Sequence, residues 1–155
     1  MRIDITGVDP GLVHTGVVGI TMATEDRILT VRHKIVLGPN VEEVLKFNYS
    51  TSRTFIEGYR TRGQFNTNNR MIQAVAEMKK GIPNSVVVPN MGIKKVVKPE
   101  LLRIMNLQKF PTSNHQDLQS AARILVLGML KDPALNYVLA DFVNDHINDR
   151  VWKIQ

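Results

Sequence analysis

Three β-like runs of hydrophobic residues precede any helical period in this chain. Residues 3–8 are rich in Ile and Val, and a second run at 16–22 follows a turn-rich link at 10–15, which predicts a β-hairpin. A third strand is expected over 27–37. Gly38-Pro39-Asn40 breaks it, and Asn40 is placed to cap a short helix over 41–47. Residues 53–59 read as a fourth strand and 61–67 as a polar loop. The period then changes. Met71, Val75 and Met78 recur at helical spacing in a helix over 68–80 that Gly81 stops. A fifth strand is expected at 85–88, then a loop or arm at 89–97 with a basic tip, then a helix from Pro99 to 107. Pro111-Thr112-Ser113-Asn114 is a break with capping residues. The helix after it, 115–131, presents Leu118, Ala121, Ala122, Leu125 and Met129 on one face, and a last helix covers 134–147.

Three antiparallel strands followed by strand–helix alternation imply an α/β fold, a mixed five-stranded sheet flanked by helices, in a single domain spanning 1–155. In such sheets functional groups gather at strand ends where the topology changes.

Composition narrows the functional classes. Hydrophobic residues make up 43% of the chain, enough for a real core. The absence of cysteine excludes disulfides, thiolate zinc sites and a cysteine nucleophile, and agrees with a reducing cytoplasm. No apolar stretch is long enough to span a bilayer, and no secretory leader is read at the N-terminus. The expectation is a cytoplasmic protein, in a bacterium or in the host of a phage, without a membrane partner. The formal net charge of +6 favours a polyanionic partner. Its placement sharpens this: Arg53, Arg60, Arg62 and Arg70 surround Glu57, and Lys94, Lys95, Lys98, Arg103 and Lys109 precede Asp117.

Three acidic residues stand out by context. Asp9 ends the first apolar run and opens the turn Asp9-Pro10-Gly11. Glu57 follows Thr54-Phe55-Ile56, and Asp117 lies near the start of the alanine-bearing helix. A carboxylate at the end of a core strand is costly unless a cation or hydrogen bonds compensate it. Brought together, the three would form an oxygen-rich site for Mg²⁺ or Mn²⁺, suited to in-line attack on a phosphodiester. Each also has a plainer reading: a turn aspartate, a strand-end charge paired with Arg60, and an acid favoured by a helix N-terminus.

These motifs resemble the ribonuclease H-like nuclease superfamily, and within it the RuvC-type Holliday junction resolvases, especially their compact phage-borne branch. The residues that carry the resemblance are Gly7-Val8-Asp9-Pro10-Gly11 with Thr15-Gly16-Val17-Val18, then Phe55-Ile56-Glu57, then His115-Gln116-Asp117-Leu118-Gln119-Ser120-Ala121-Ala122-Arg123. The resemblance implies a ribonuclease H-like fold and a metal-dependent endonuclease. Its substrate would be four-way or other branched DNA, cut by paired symmetric nicks that leave 5′-phosphate and 3′-hydroxyl ends, in recombination or repair. It implies a two-metal site of Mg²⁺ or Mn²⁺ held by Asp9, Glu57 and Asp117. The family supplies a further ligand about one helical turn along the last helix. Here Ser120 and Asn114 stand at those positions, so the fourth ligand is left among His115, Ser120, Asn114 and water. Lys98 precedes its helix as a family active-site lysine does. Arg60, Arg62, Phe65, Arg70, Lys94, Lys95 and Lys98 are the expected DNA contacts, with Phe65, or Tyr59 beside it, placed to stack on an unpaired base. A two-fold-symmetric junction implies a homodimer, with the Met71/Val75/Met78 stripe as core or dimer interface. The alternatives are a ribonuclease H-like nuclease acting on RNA or flaps, a non-catalytic branched-DNA-binding protein, and a sugar-kinase-like ATPase fold, for which no phosphate loop is found.

Overall fold

The structure is a computed structural model and describes residues 1–58 and 69–155. Its first strands, β1 (Arg2–Asp9), β2 (His14–Ala23) and β3 (Ile28–Leu37), form an antiparallel meander. Helix α1 (Val41–Phe47) follows, with the Asn40 side chain accepting a hydrogen bond from the Glu43 backbone N–H at 3.3 Å. Strand β4 (Arg53–Gly58) pairs parallel with β1, and beyond α2 (Asn69–Gly81) strand β5 (Ser85–Pro89) pairs parallel with β4. The chain continues through α3 (Ile93–Val96), α4 (Pro99–Ile104), α5 (His115–Lys131) and α6 (Pro133–Ile147) to β6 (Lys153–Ile154).

The five expected strands are all present, and β6 makes the sheet six-stranded, in the order β5-β4-β1-β2-β3-β6. Two residues are too few to show an alternation. The short strand is held by Trp152, which is buried, packs edge-on against Phe142 at 5.2 Å and donates its indole N–H to Asp145 at 3.0 Å. Helix α3 stands where the sequence predicts a loop, because four residues with two lysines carry no apolar period. Helix α4 stops before the expected residue 107. Asn106 adopts a left-handed φ of 59°, and the Leu107 N–H returns to the Leu102 carbonyl at 2.7 Å, a Schellman closure.

Two cores lie on opposite faces of the sheet. On one, Ile5, Val18, Ile20 and Phe55 meet Ala121, Leu125 and Phe142. On the other, Val8, Val17 and Ile56 meet Val44, Val75 and Met78. Helix α5 sits directly on the first face because Gly7 and Gly16 leave room for it. A Cβ on Gly7 would lie 2.2 Å from the Ala121 carbonyl oxygen, and one on Gly16 would lie 2.4 Å from that of Asp117. Among the described residues no helix is long and apolar enough to cross a membrane.

Candidate active site

Strands β1, β4 and β5 run parallel and end together. Val8 pairs with Ile56, and Glu57 pairs with Val88, so Asp9, Glu57 and the residues after Val88 share one edge of the sheet. Side chains alternate along a strand. Asp9 therefore shares the face of Gly7 and Ile5, and Glu57 the face of Phe55, which is the face covered by α5. Asp9 is paired across the hairpin with Gly16, and Gly16 lies against the Asp117 backbone. The missing side chain at Gly16 is what lets the first turn of α5 approach Asp9.

The turn after Asp9 is fastened to the end of β3. The Thr15 hydroxyl accepts from the Gly11 N–H at 3.1 Å and lies 2.9 Å from the Gly38 carbonyl, to which it donates. Thr15 is fully buried, so this link is well shielded from water.

The carboxyl of Glu57 acts directly on that of Asp9, and Asp117 adds its charge through space. Burial, then the hydrogen bond and charge of Glu57, then the charge of Asp117, push the Asp9 carboxyl from its ordinary 3.8 up to about 9. Strand β1 carries a second aspartate, this one fully buried, with the opposite fate. Burial also raises the pKa of Asp4, but hydrogen bonds from Thr51, Thr21 and Arg2 outweigh it and hold its carboxyl below the usual range. Asp4 is a satisfied structural anion. At Asp9 the neighbours that matter are other acids.

That contrast sets an expected pH dependence. Without metal, folded Asp9 keeps a proton that the unfolded chain releases near pH 4. Raising the pH from about 4 toward 9 therefore favours unfolding, by at most about 1.4 kcal/mol per pH unit from this group. Urea unfolding in EDTA between pH 5 and 8 should show stability falling with pH in the wild type and a flatter profile in Asp9→Asn. Identical profiles would contradict the half-buried, acid-flanked carboxyl.

A cavity of about 400 Å³ opens at this edge, lined by Asp9, Pro10, Gly11, Glu57, Gly58, Met71 and Asn90. Met71, read from sequence as core or interface, thus borders the carboxylates. Asn90 was missed altogether. It follows β5 in what read as a loop, and its amide Nδ2 donates to Glu57 Oε1 at 2.8 Å. An asparagine beyond a strand carries no sequence signal until the strand order is known.

The other candidates are placed as follows. His115 is the first residue of α5 and is exposed, and Asn114 is the N-cap residue without a side-chain capping bond. Ser120 is half-buried one turn along α5. Lys98 lines a different groove, between α4 and the end of α6, with Leu101, Ile104 and His146 among its neighbours. Lys94 and Lys95 are exposed on α3, just beyond Asn90, and Arg70 is exposed at the start of α2, next to Met71. Arg53 lies at the far end of β4 from Glu57 and pairs with Asp132. Tyr59, Arg60, Arg62 and Phe65 lie outside the described residues.

The donors at this edge are all oxygens: the carboxylates of Asp9, Glu57 and Asp117, with the Asn90 amide behind them. Such a set suits hard divalent cations. The side chains as placed are not a closed cage. Among the described residues no three His, Asp or Glu groups are gathered to hold one ion. The residues therefore fit an open site in which water and substrate complete the coordination.

No protein-family model matches the chain, and no curated protein matches it in sequence. Solved structures do match it in fold. The Thermus thermophilus RuvC structure superposes with a TM-score of 0.56 at 18% identity, covering 89% of this chain and 97% of that one. T. thermophilus RuvC in complex with a Holliday junction substrate gives 0.52 at 16% identity, covering 80% and 90%. A Fowlpox virus resolvase in complex with substrate Holliday junction DNA gives 0.48 at 12% identity. The chain has the mixed-sheet, ribonuclease H-like fold of the RuvC structures.

Proposed function

We propose that this protein is a divalent-metal-dependent endonuclease that resolves four-way and other branched DNA. The observation that carries the reading is the half-buried Asp9–Glu57 carboxyl pair at the common end of three parallel strands, with the charge of Asp117 acting on it. Nothing in the packing of a core calls for three acids at one sheet edge, and each costs stability there. The fold shared with RuvC, one of whose structures holds a Holliday junction substrate, supports the same reading.

In this proposal Asp9 and Glu57 hold Mg²⁺ or Mn²⁺ from the strand ends and Asp117 holds it from α5. A bound cation supplies positive charge to the scissile phosphate and its leaving oxygen, and lowers the pKa of a nearby water. The chain's own contributions are more specific. The Thr15 link fixes the turn after Asp9. The hydrophobic seat of α5 fixes Asp117 relative to the strands. Lys94, Lys95 and Arg70 approach the flanking phosphates, with Arg60, Arg62 and Phe65 assigned to the DNA from sequence. Lys98 is assigned to neutralising the scissile phosphate or the leaving oxygen, or to a neighbouring phosphate. His115, exposed at the helix start, is assigned to orienting water or completing the coordination. A junction has two equivalent strands to cut, so the active species is a symmetric homodimer.

The test is a labelled mobile four-way junction, a flap, a linear duplex and a structured RNA, each incubated with Mg²⁺, Mn²⁺ or EDTA. The expected result is paired, metal-dependent nicking of the junction. Binding should weaken steeply with salt and favour the junction over the linear duplex at about 0.15 M salt. Preferred cutting of RNA or flaps would move the substrate within the same chemistry. Junction binding without cleavage under any metal would reject the nuclease.

A further inference from the structure

We propose that Asn90 is a positioning residue that holds Glu57 in its metal-binding orientation, an inference that rests on the nuclease reading above. The carboxylate of Glu57 stands at a strand end, where its terminal torsion would otherwise be broad. Donation from Asn90 Nδ2 to Oε1 at 2.8 Å ties one oxygen down and sets the plane of the group. The residue type matters. A lysine or arginine in this place would neutralise Glu57 and compete with a cation for it. A neutral amide orients the carboxylate and leaves its charge available.

Asn90 is itself anchored. It follows Pro89, which pairs with Gly58 in the sheet, and its carbonyl accepts the Ile93 N–H at 3.2 Å. Gly92 then takes a left-handed φ of 68°, and its carbonyl accepts from Lys95 at 2.9 Å and Val96 at 3.1 Å. Ile93 packs on the core and Val97 is buried, so the turn is pinned at both ends. The amide that orients Glu57 and the exposed lysines Lys94 and Lys95 are thus carried by one short, hydrogen-bonded turn.

The experiment measures Mn²⁺ binding to the DNA-free protein by calorimetry, in Asn90→Ala and the bulkier Asn90→Leu, beside Glu57→Gln and the double variant. Loss of the amide should weaken Mn²⁺ binding by ~10-fold or more. The melting temperature in EDTA and junction affinity in EDTA should stay near wild type. Because Asn90 acts through Glu57, adding Asn90→Ala to Glu57→Gln should cause no further loss of Mn²⁺ affinity. Wild-type Mn²⁺ affinity in both Asn90 variants would overturn the inference while leaving the nuclease intact. So would a fully additive double variant. A wild-type protein that neither binds Mn²⁺ nor cuts a junction would remove the nuclease reading, and this inference with it.

Discussion

Asp9→Asn and Glu57→Gln should each lower junction cleavage by ~10³-fold or more while leaving the protein folded and able to bind DNA. Both substitutions keep the size of the side chain and remove the negative charge on which cation binding depends. Their effect on stability should have the opposite sign to their effect on activity. In the metal-free protein the two carboxyls are crowded and Asp9 is kept from ionising by burial, Glu57 and Asp117. Removing a charge relieves that crowding, so melting in EDTA should be unchanged or higher for either variant. Added Mn²⁺ should then stabilise the wild type more than either variant. A single-turnover assay on a labelled junction, paired with thermal melting with and without metal, checks both halves. Near-normal nicking by either variant would remove these residues from the site. Strong destabilisation of both would mark them as structural anions of the kind seen at Asp4.

The second large effect is expected from a residue with no chemistry. Gly16→Ala places a Cβ 2.4 Å from the Asp117 carbonyl oxygen and 2.7 Å from its carbonyl carbon, with the helix backbone unable to yield as a flexible side chain would. Overpacking of this kind costs about 1–3 kcal/mol. In a chain of this size that lowers Tm by roughly 3–10 °C. The displaced part is the first turn of α5, so Asp117 should move away from Asp9. Cleavage measured well below the melting temperature should fall by ~10-fold or more, beyond what lost stability explains. Melting and junction cleavage by the same preparation distinguish the two effects. A variant with both wild-type Tm and wild-type rate would mean that α5 does not depend on this seat.

Much of the architecture was legible from local pattern. The meander shows as three apolar runs separated by turn residues. The start of α5 after Asn114 and its end before Asp132 follow from the breakers on either side of an unbroken apolar face, although Asn114 makes no side-chain cap. What was missed, α3 and β6, is too short for any period to register, and both are held by contacts with elements distant in sequence. The end of α4 depended on Asn106 taking a left-handed conformation, which its identity permits but does not compel.

For the candidate site the division is sharper. Sequence by itself determined that hard oxygen ligands and basic residues are present, and that Asp9 and Glu57 stand at the ends of buried strands. Those properties depend on residue type and near neighbours. Only the tertiary structure decided which of them face one another. It put Asp9 and Glu57 side by side through parallel pairing of β1 with β4, and brought Asp117 near through a glycine on β2. It took Arg53 to the far end of β4 and Lys98 to another groove, and supplied Asn90 from the end of β5. The two aspartates of β1 give the physical reason. They share a strand and a residue type, yet Asp4 is held below the ordinary carboxylate range and Asp9 is driven to about 9. The hydroxyls of Thr21 and Thr51 reach one, and the acids Glu57 and Asp117 reach the other. The charge state of a buried group is set by what surrounds it, and those surroundings come from remote parts of the chain.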